Sequence, residues 1–265
     1  YNLDLRIHGP IGPQSSKWIK DDIRTSDELM LNLVEFMTES CIKFSSEPSV
    51  KWMDVVNETI LPSGKWHGPK LGNNKWENPW LKIGLDENEF PLYILKSFEI
   101  ATKLAPNISL VFNQNAGFQP RLWDKLKKSV KYIRSKGYRV DGIGWQGHLL
   151  LSKSTYGFVN DLDKGIKDLS NLIDWAHEND LDFHVTELDY FVEDKSNLSN
   201  DLLDQKMIYS RIINLLMDKS KNGLVTLNFW DMGERFKKGK GYFQSIYSKD
   251  LEPNPSYELL NNILK

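Results

Sequence analysis

The chain has 265 residues, of which 40% are hydrophobic and 26% are charged, with 34 basic and 36 acidic side chains. The resulting net charge of −2 gives no basic field, which argues against nucleic acid as a partner. No apolar run is long enough to span a bilayer, and the single cysteine excludes an internal disulfide. These features predict one globular domain over residues 1–265.

Short β-type runs alternate with amphipathic stretches along the chain. The predicted strands are Leu3–Gly9, Val50–Glu58, Ser109–Gln114, Asp141–His148, Asp182–Asp189 and Leu224–Asp231. Apolar residues at helical spacing predict helices over about Ser26–Ser45, after Pro91, over Pro120–Lys136, over Leu162–Ala176, over about Leu202–Gly223 and after Pro255. Strict alternation predicts parallel strands joined by helical crossovers, which is the α/β fold class.

The expected fold is a (β/α)8 barrel of the TIM type, with about six βα units in this chain. The polar stretches Ser63–Asn78 and Phe236–Gly241 follow strand ends, where such barrels carry the loops of their active site. We expect an upstream segment or a second chain to supply the first two βα units, because the two outer strands would otherwise leave open sheet edges.

Two of the predicted strands carry a glutamate at their carboxyl end, since Val50–Glu58 ends in Asn57-Glu58 and Asp182–Asp189 ends in Thr186-Glu187-Leu188-Asp189. Parallel strands place both ends on one rim of a barrel. Two facing carboxyl groups suit glycoside hydrolysis, because one can protonate the departing oxygen while the other attacks the sugar or activates water. The alternative interpretation is that each glutamate only ends a strand in solvent.

Three segments resemble the signature motifs of glycoside hydrolase family 10, which comprises mostly retaining endo-β-1,4-xylanases on a (β/α)8 barrel. They are Asp54-Val55-Val56-Asn57-Glu58, Gly142-Ile143-Gly144-Trp145-Gln146-Gly147-His148 and Thr186-Glu187-Leu188-Asp189. The segments occur in the family's order and at similar spacing. Asn254-Pro255-Ser256-Tyr257 also resembles the family's C-terminal motif.

The resemblance implies a role for each matched residue. Glu58 is expected to be the general acid/base and Glu187 the nucleophile, with His148 bonded to Glu187 and Asp189 orienting the imidazole. The expected sugar-binding residues are His8, Asn57, Gln146 and Trp230. A retaining mechanism further requires the two carboxyl groups to lie about 5–5.5 Å apart.

The chain also departs from the family around the predicted site. Gly12 and Pro13 stand where the family usually has a sugar-contacting Trp and a second His, and Asn113-Gln114-Asn115 lacks the family's Tyr. We expect Trp66, Trp76 and Trp80 to supply replacement stacking surface. His67 is interpreted as a loop residue without a role in the site.

The sequence therefore predicts a retaining glycosidase that cleaves β-1,4-xylan or a related β-linked polysaccharide. Its substrate is a polysaccharide or oligosaccharide, and the mechanism needs no metal or organic cofactor. The alternatives are a non-catalytic glycan-binding barrel, the same mechanism on a different plant or algal glycan, and a metal-dependent barrel hydrolase. Secretion or a periplasmic or cell-surface location is expected from the resemblance alone, since no signal is visible.

Overall fold

The computed structural model describes residues 3–15, 19, 23–69, 77–115, 117–150, 158–192, 198–230, 233, 235–237, 241–244 and 246–263. The chain divides into two compact units, Tyr1–Gln114 with Pro120–Gly144, and Asn115–Gln119 with Trp145–Lys265. That residues 1–265 form one domain stays a prediction. No helix in the described part of the chain has both the length and the apolar character needed to cross a membrane.

The first unit alternates strands with helices. Its elements are β1 (Leu5–Ile7), α1 (Ser26–Ser45), β2 (Val50–Asn57), a 3₁₀ helix (Pro79–Ile83), α2 (Leu92–Leu104), β3 (Ser109–Gln114), α3 (Pro120–Ser135) and β4 (Gly142–Trp145), whose last residue belongs to the second unit. β1 pairs with β2 and β2 with β3, both in parallel. β4 lies beside β3, so β2, which leads to Glu58, is a central strand of this unit.

Local sequence explains where α1 begins and which face it buries. Thr25 and Glu28 form a capping box, in which each side chain accepts a hydrogen bond from the backbone of the other. The buried residues follow at intervals of four: Leu29, Leu33, Met37 and Cys41. That spacing places them on one helical face, so α1 packs by a single apolar stripe.

The second unit contains parallel strands and an antiparallel hairpin. Its elements are β5 (His148–Leu150), α4 (Leu162–Glu178), β6 (Asp182–Val192), α5 (Leu198–Lys219), β7 (Val225–Phe229), β8 (Arg235–Lys237), β9 (Gly241–Gln244) and α6 (Pro255–Ile263). β6 pairs in parallel with β5 and β7 and antiparallel with β9. β9 also pairs antiparallel with β8. β6 is therefore the strand around which this unit is organised.

Two predicted elements differ from the structure. The predicted strand Asp141–His148 is interrupted at Gln146-Gly147, and Gly147 has a φ of 75°, a conformation that glycine adopts easily. The stretch Phe236–Gly241, predicted to be a loop, instead overlaps the ends of β8 and β9. The hairpin forms because the eleven-residue β6 runs past Asp189 and offers β9 an edge at Tyr190–Val192.

Candidate active site

Glu58 follows β2 directly, and its backbone is held on both sides. Its N–H donates to the Asn113 carbonyl oxygen at 3.2 Å, and its own carbonyl accepts from His67 Nδ1 at 3.0 Å. The residue has a φ of 52°, a left-handed conformation that costs a non-glycine residue roughly 1–2 kcal/mol. The two hydrogen bonds stabilise this conformation, so Glu58 is fixed by its neighbours and is only 4% exposed.

Asn57, the predicted ligand of the sugar's 2-hydroxyl, is buried beside Glu58. Its Oδ1 accepts from Asn113 Nδ2 at 3.0 Å, and its N–H donates to the Ile11 carbonyl at 2.8 Å. The loop after β1 therefore lies directly on the end of β2. A methyl carbon added at Gly12 would lie 2.9 Å from the Asn57 carbonyl oxygen, so the absence of a side chain at position 12 permits this close packing.

His8 lies at the end of β1 and bonds to a buried carboxylate. Its Nδ1 is 3.0 Å from Asp54 Oδ2, while Arg6 donates to Asp54 Oδ1 at 2.6 Å. Asp54 is completely buried, and a buried carboxylate needs such partners to offset its desolvation. The pair thus ties β1 to β2 and fixes the His8 ring, whose side chain is 29% exposed.

Sequence reasoning missed two residues that shape the segment after Glu58. His67 is 3% exposed and bonds to the Glu58 carbonyl. Gln114 is fully buried; it accepts from the Ile60 N–H at 3.1 Å and donates to the Ile60 carbonyl at 3.0 Å. His67 and Gln114 are polar residues with polar neighbours in the sequence, so the sequence did not indicate that their side chains are buried.

The expected stacking surface from three tryptophans is only partly available. Trp80 is 6% exposed and belongs to the core, so its proposed stacking role was wrong. Trp66 donates from Nε1 to the Glu89 carbonyl, and the Lys125 ammonium lies 4.3 Å from the centre of its ring. Trp76 lies outside the described residues.

Glu187 lies in β6 of the second unit and is bonded to His148. His148 Nε2 is 3.2 Å from Glu187 Oε2, and His148 Nδ1 is 2.9 Å from Asp189 Oδ1. These contacts arise because His148 and Asp189 face each other in the parallel register of β5 and β6. Glu187 is 3% exposed and Asp189 is fully buried, so both carboxyl groups depend on the histidine for compensation.

The charge of His148 follows from this arrangement. Burial alone would lower the pKa of the imidazole, but hydrogen bonds and charge attraction from Asp189 and Glu187 outweigh burial and raise the pKa to about 10. At neutral pH the ring is therefore an imidazolium that donates from both nitrogens. The imidazolium thus contacts both carboxyl groups of this unit.

Two further predicted sugar ligands lie in the same unit. Gln146 is 1% exposed at the break between β4 and β5. Trp230 follows β7; its N–H donates to the Leu188 carbonyl at 3.1 Å, and its ring stands edge-on to His148 with 6.0 Å between ring centres. The Trp230 indole thus borders the His148–Glu187 pair.

The structure brings the predicted residues together in two groups. The first unit groups His8, Asn57 and Glu58, whereas the second groups His148, Glu187 and Asp189 with Gln146 and Trp230. The predicted separation of the two glutamates and the roles of all eight residues stay predictions. Among the described residues, no group of three or more His, Cys, Asp or Glu side chains is arranged to hold a metal ion.

Comparison with known proteins identifies relatives over nearly the whole chain. The profile described as Glycosyl hydrolase family 10 matches residues 2–262. Endo-1,4-beta-xylanase A of Thermoanaerobacterium saccharolyticum is 29% identical over 196 residues, covering 72% of this chain and 14% of that protein. Endo-1,4-beta-xylanase B of Paenibacillus barcinonensis is 23% identical over 262 residues, covering 92% of this chain and 72% of that protein.

A solved structure agrees with these relatives. Xylanase 10B from Thermotoga petrophila RKU-1, in complex with xylobiose, matches with a TM-score of 0.81 at 22% identity, covering 99% of this chain and 74% of that one. The profile match confirms the resemblance predicted from the three motifs. Together the matches confirm the α/β class and the (β/α)8 barrel fold, with about six βα units in this chain.

The close contact at Gly12 predicts that alanine is not tolerated there. Gly12→Ala should lower the free energy of unfolding by about 1–3 kcal/mol, because the added methyl meets backbone atoms that have little room to move. Urea unfolding measures this change. Gln14→Ala, at an exposed position of the same loop, serves as the control and should change stability by less than about 0.5 kcal/mol. Equal midpoints for the wild type and the Gly12 variant would contradict the described packing.

The raised pKa of His148 predicts a pH-dependent contribution to stability. A group whose pKa rises on folding stabilises fully below its unfolded pKa, here 6.5, and loses that contribution as pH rises through about 10. The stability difference between wild type and His148→Gln should therefore shrink from pH 6 to above pH 10, by on the order of 5 kcal/mol. Chemical unfolding of both proteins at the two pH values tests this, and a constant difference would contradict the charged pair.

Proposed function

Because this chain belongs to glycosyl hydrolase family 10 and is therefore a glycoside hydrolase, we propose that it cleaves β-1,4-xylan within the chain and retains the anomeric configuration. The observation that carries the proposal is the Glu187 carboxylate, buried and bonded to the His148 imidazolium. A buried, oriented anion beside a partly exposed indole suits attack on a sugar ring. The relatives named above as xylanases support the substrate.

In the first step, Glu187 attacks the anomeric carbon while Glu58 gives its proton to the departing glycosidic oxygen. The C–O bond to the leaving sugar breaks, and an ester bond to Glu187 forms. In this proposal Asn57, which bonds to Asn113 and Ile11, holds the 2-hydroxyl of the sugar. Hydrogen bonds to that hydroxyl strengthen in the transition state and contribute to catalysis.

In the second step, a water molecule replaces the enzyme on the sugar. Glu58, now ionised, takes a proton from the water while the oxygen attacks the anomeric carbon and the ester bond breaks. Glu187 is released as a carboxylate. His148 and Asp189 take no proton in either step; they orient the nucleophile.

The action on xylan also bears on location and assembly. We propose that the enzyme works outside the cytoplasm, since polymeric xylan cannot enter the cell.

Apolar side chains are exposed at the outer strands of both units. Leu5, within β1, is 45% exposed, and Leu224, beside β7, is 47% exposed. The upstream segment or second chain expected to complete the barrel stays a prediction.

The rival function is glycan binding without turnover. A variant of Glu187 distinguishes hydrolysis from binding alone. Glu187→Ala should abolish release of reducing ends from xylo-oligosaccharides, because no covalent intermediate can form. Glu178→Ala, at the exposed end of α4, is the matched control and should retain activity. Binding to xylan without any hydrolysis by the wild type would favour the non-catalytic alternative.

The proton-donor role of Glu58 predicts a dependence on the leaving group. Glu58→Ala should lose hydrolysis of xylo-oligosaccharides by about 10²–10⁴-fold, the usual contribution of general acid catalysis. Glycosides with an acidic phenol as leaving group need no proton in the first step, so their glycosylation rate should change little. Stopped-flow measurement of phenol release tests this, and equal losses on both substrates would assign Glu58 another role.

The double displacement predicts the stereochemistry of the product. Proton NMR during the first minutes of xylo-oligosaccharide cleavage should detect the β-anomer before mutarotation equilibrates it, because two inversions restore the original configuration. First appearance of the α-anomer would show a single displacement by water and would exclude Glu187 as the nucleophile.

A further inference from the structure

A short hairpin follows β2 and brings His67 back beside Glu58. Ile60 and Trp66 form an antiparallel bridge, and the His67 N–H donates to the Thr59 carbonyl at 2.8 Å. Because Thr59 directly follows Glu58, this pairing places the His67 ring within reach of the Glu58 backbone. We call residues 58–67 the acid hairpin.

The acid hairpin is attached to two neighbouring elements of the first unit. Gln114, at the end of β3, accepts from the Ile60 N–H and donates to the Ile60 carbonyl. At the turn, Gly64 has a φ of 80°, and a methyl carbon added there would lie 2.9 Å from the Arg121 carbonyl oxygen of α3. The turn therefore packs closely against α3, and the backbone that carries His67 has a defined position.

The His67 ring donates to the backbone of Glu58. His67 is 3% exposed, and its Nδ1 lies 3.0 Å from the Glu58 carbonyl oxygen. A carbonyl oxygen can only accept, so Nδ1 must carry a proton in this contact. Nδ1 can carry that proton in the neutral ring and also carries it in the imidazolium, so the bond does not depend on the charge of His67.

This bond acts on a residue whose backbone is strained. Glu58 has a φ of 52°, and one hydrogen bond contributes about as much free energy as this left-handed conformation costs. Relaxation of the backbone would turn the Cα–Cβ bond and move the carboxyl group. A proton donor must lie within hydrogen-bond reach of the oxygen that it protonates, so a small displacement slows proton transfer.

We propose that His67 is a positioning residue for the proton donor: its Nδ1–H holds the left-handed backbone of Glu58 and thereby directs the Glu58 carboxyl group towards the glycosidic oxygen. The inference rests on the proposed function, because it concerns the proton transfers that Glu58 is proposed to perform. It adds that a histidine acting through the main chain controls those transfers and leaves the attack by Glu187 unaffected.

The test compares two substitutions of similar size that differ in the donor. His67→Asn keeps an N–H donor at about the distance of Nδ1 from the backbone, whereas His67→Leu has none. His67→Leu should lower kcat on xylo-oligosaccharides by about tenfold, with KM unchanged. Its rate of phenol release from glycosides with an acidic phenol, measured by stopped flow, should fall by less than about twofold, because that step needs no proton. His67→Asn should restore kcat to near the wild-type value.

Tyr93→Phe is the matched control for the loss of a buried hydrogen bond. Tyr93, in α2, is fully buried, and its hydroxyl accepts from Asn78 Nδ2 at 3.1 Å. Tyr93→Phe should lower Tm but leave both rates unchanged. A loss in Tyr93→Phe that is confined to xylo-oligosaccharides would overturn the inference, because the selectivity would then follow from reduced stability alone.

A further pair of variants tests whether His67 acts through Glu58. In a Glu58→Ala background, His67→Leu should cause no further loss of kcat on xylo-oligosaccharides, because both changes act on the same proton transfer. If His67→Leu does not fold, His67→Gln replaces it, since the amide of that side chain lies nearer the position of Nε2 than that of Nδ1. The same selective loss is then expected.

The outcomes distinguish this inference from the proposed function. Equal losses on both substrates, or no recovery in His67→Asn, would overturn the positioning role while leaving hydrolysis intact. If the wild type hydrolyses no xylan, the proposed function fails, and the ¹³C resonance of the Glu58 carboxyl carbon, assigned by its absence in Glu58→Gln, decides. A shift of this resonance in His67→Leu but not in His67→Asn supports the inference, and any other result overturns it.

Discussion

The candidate nucleophile depends on one cation, the imidazolium of His148, placed between two carboxylates that are almost closed to water. Glu187 and Asp189 would each lose much of their hydration on burial, a cost that only close opposite charge and hydrogen bonding offset. The backbone break at Gly147 is what makes this possible, because it starts β5 at His148 and sets that residue opposite Asp189. The backbone conformation at Gly147, the register of β5 against β6 and the charge of the imidazolium therefore all favour the position of His148 between Glu187 and Asp189.

The first unit also contains a buried carboxylate, and a different cation compensates its charge. Asp54 is fully buried and is neutralised by Arg6, while His8 takes its second oxygen. This pair joins β1 to β2, and β2 leads to Glu58, whose left-handed backbone is held by Asn113 and His67. Strained backbone of this kind persists where surrounding contacts over-determine it, and it occurs often at functional sites.

Elements dominated by local signals could be predicted from the sequence. Apolar residues at helical spacing predicted a helix over about Ser26–Ser45, and α1 has these bounds in the structure. The pairing of His148 with Glu187 and Asp189 was predicted only from the family resemblance, and the structure shows both contacts. The hydrogen bonds of Gln205 could not be inferred, because its partners Asn254 and Ser256 lie about fifty residues away, at the start of α6. The β8–β9 hairpin was missed because the lysine and glycine residues of Phe236–Gly241 are typical of a solvated loop.

Departures from the family at the loop after β1 change how a sugar can be held. An aromatic ring cannot simply be restored at position 12, because even a methyl carbon there would meet the Asn57 backbone. Of the tryptophans expected to replace it, Trp80 is in the core and Trp66 has Lys125 over its ring. Trp230, partly exposed and edge-on to His148, is therefore the indole that we expect to contact a sugar at Glu187. We likewise expect sugar recognition to depend more on hydrogen bonds from Asn57 and His8, and less on stacking, than the family's motifs imply.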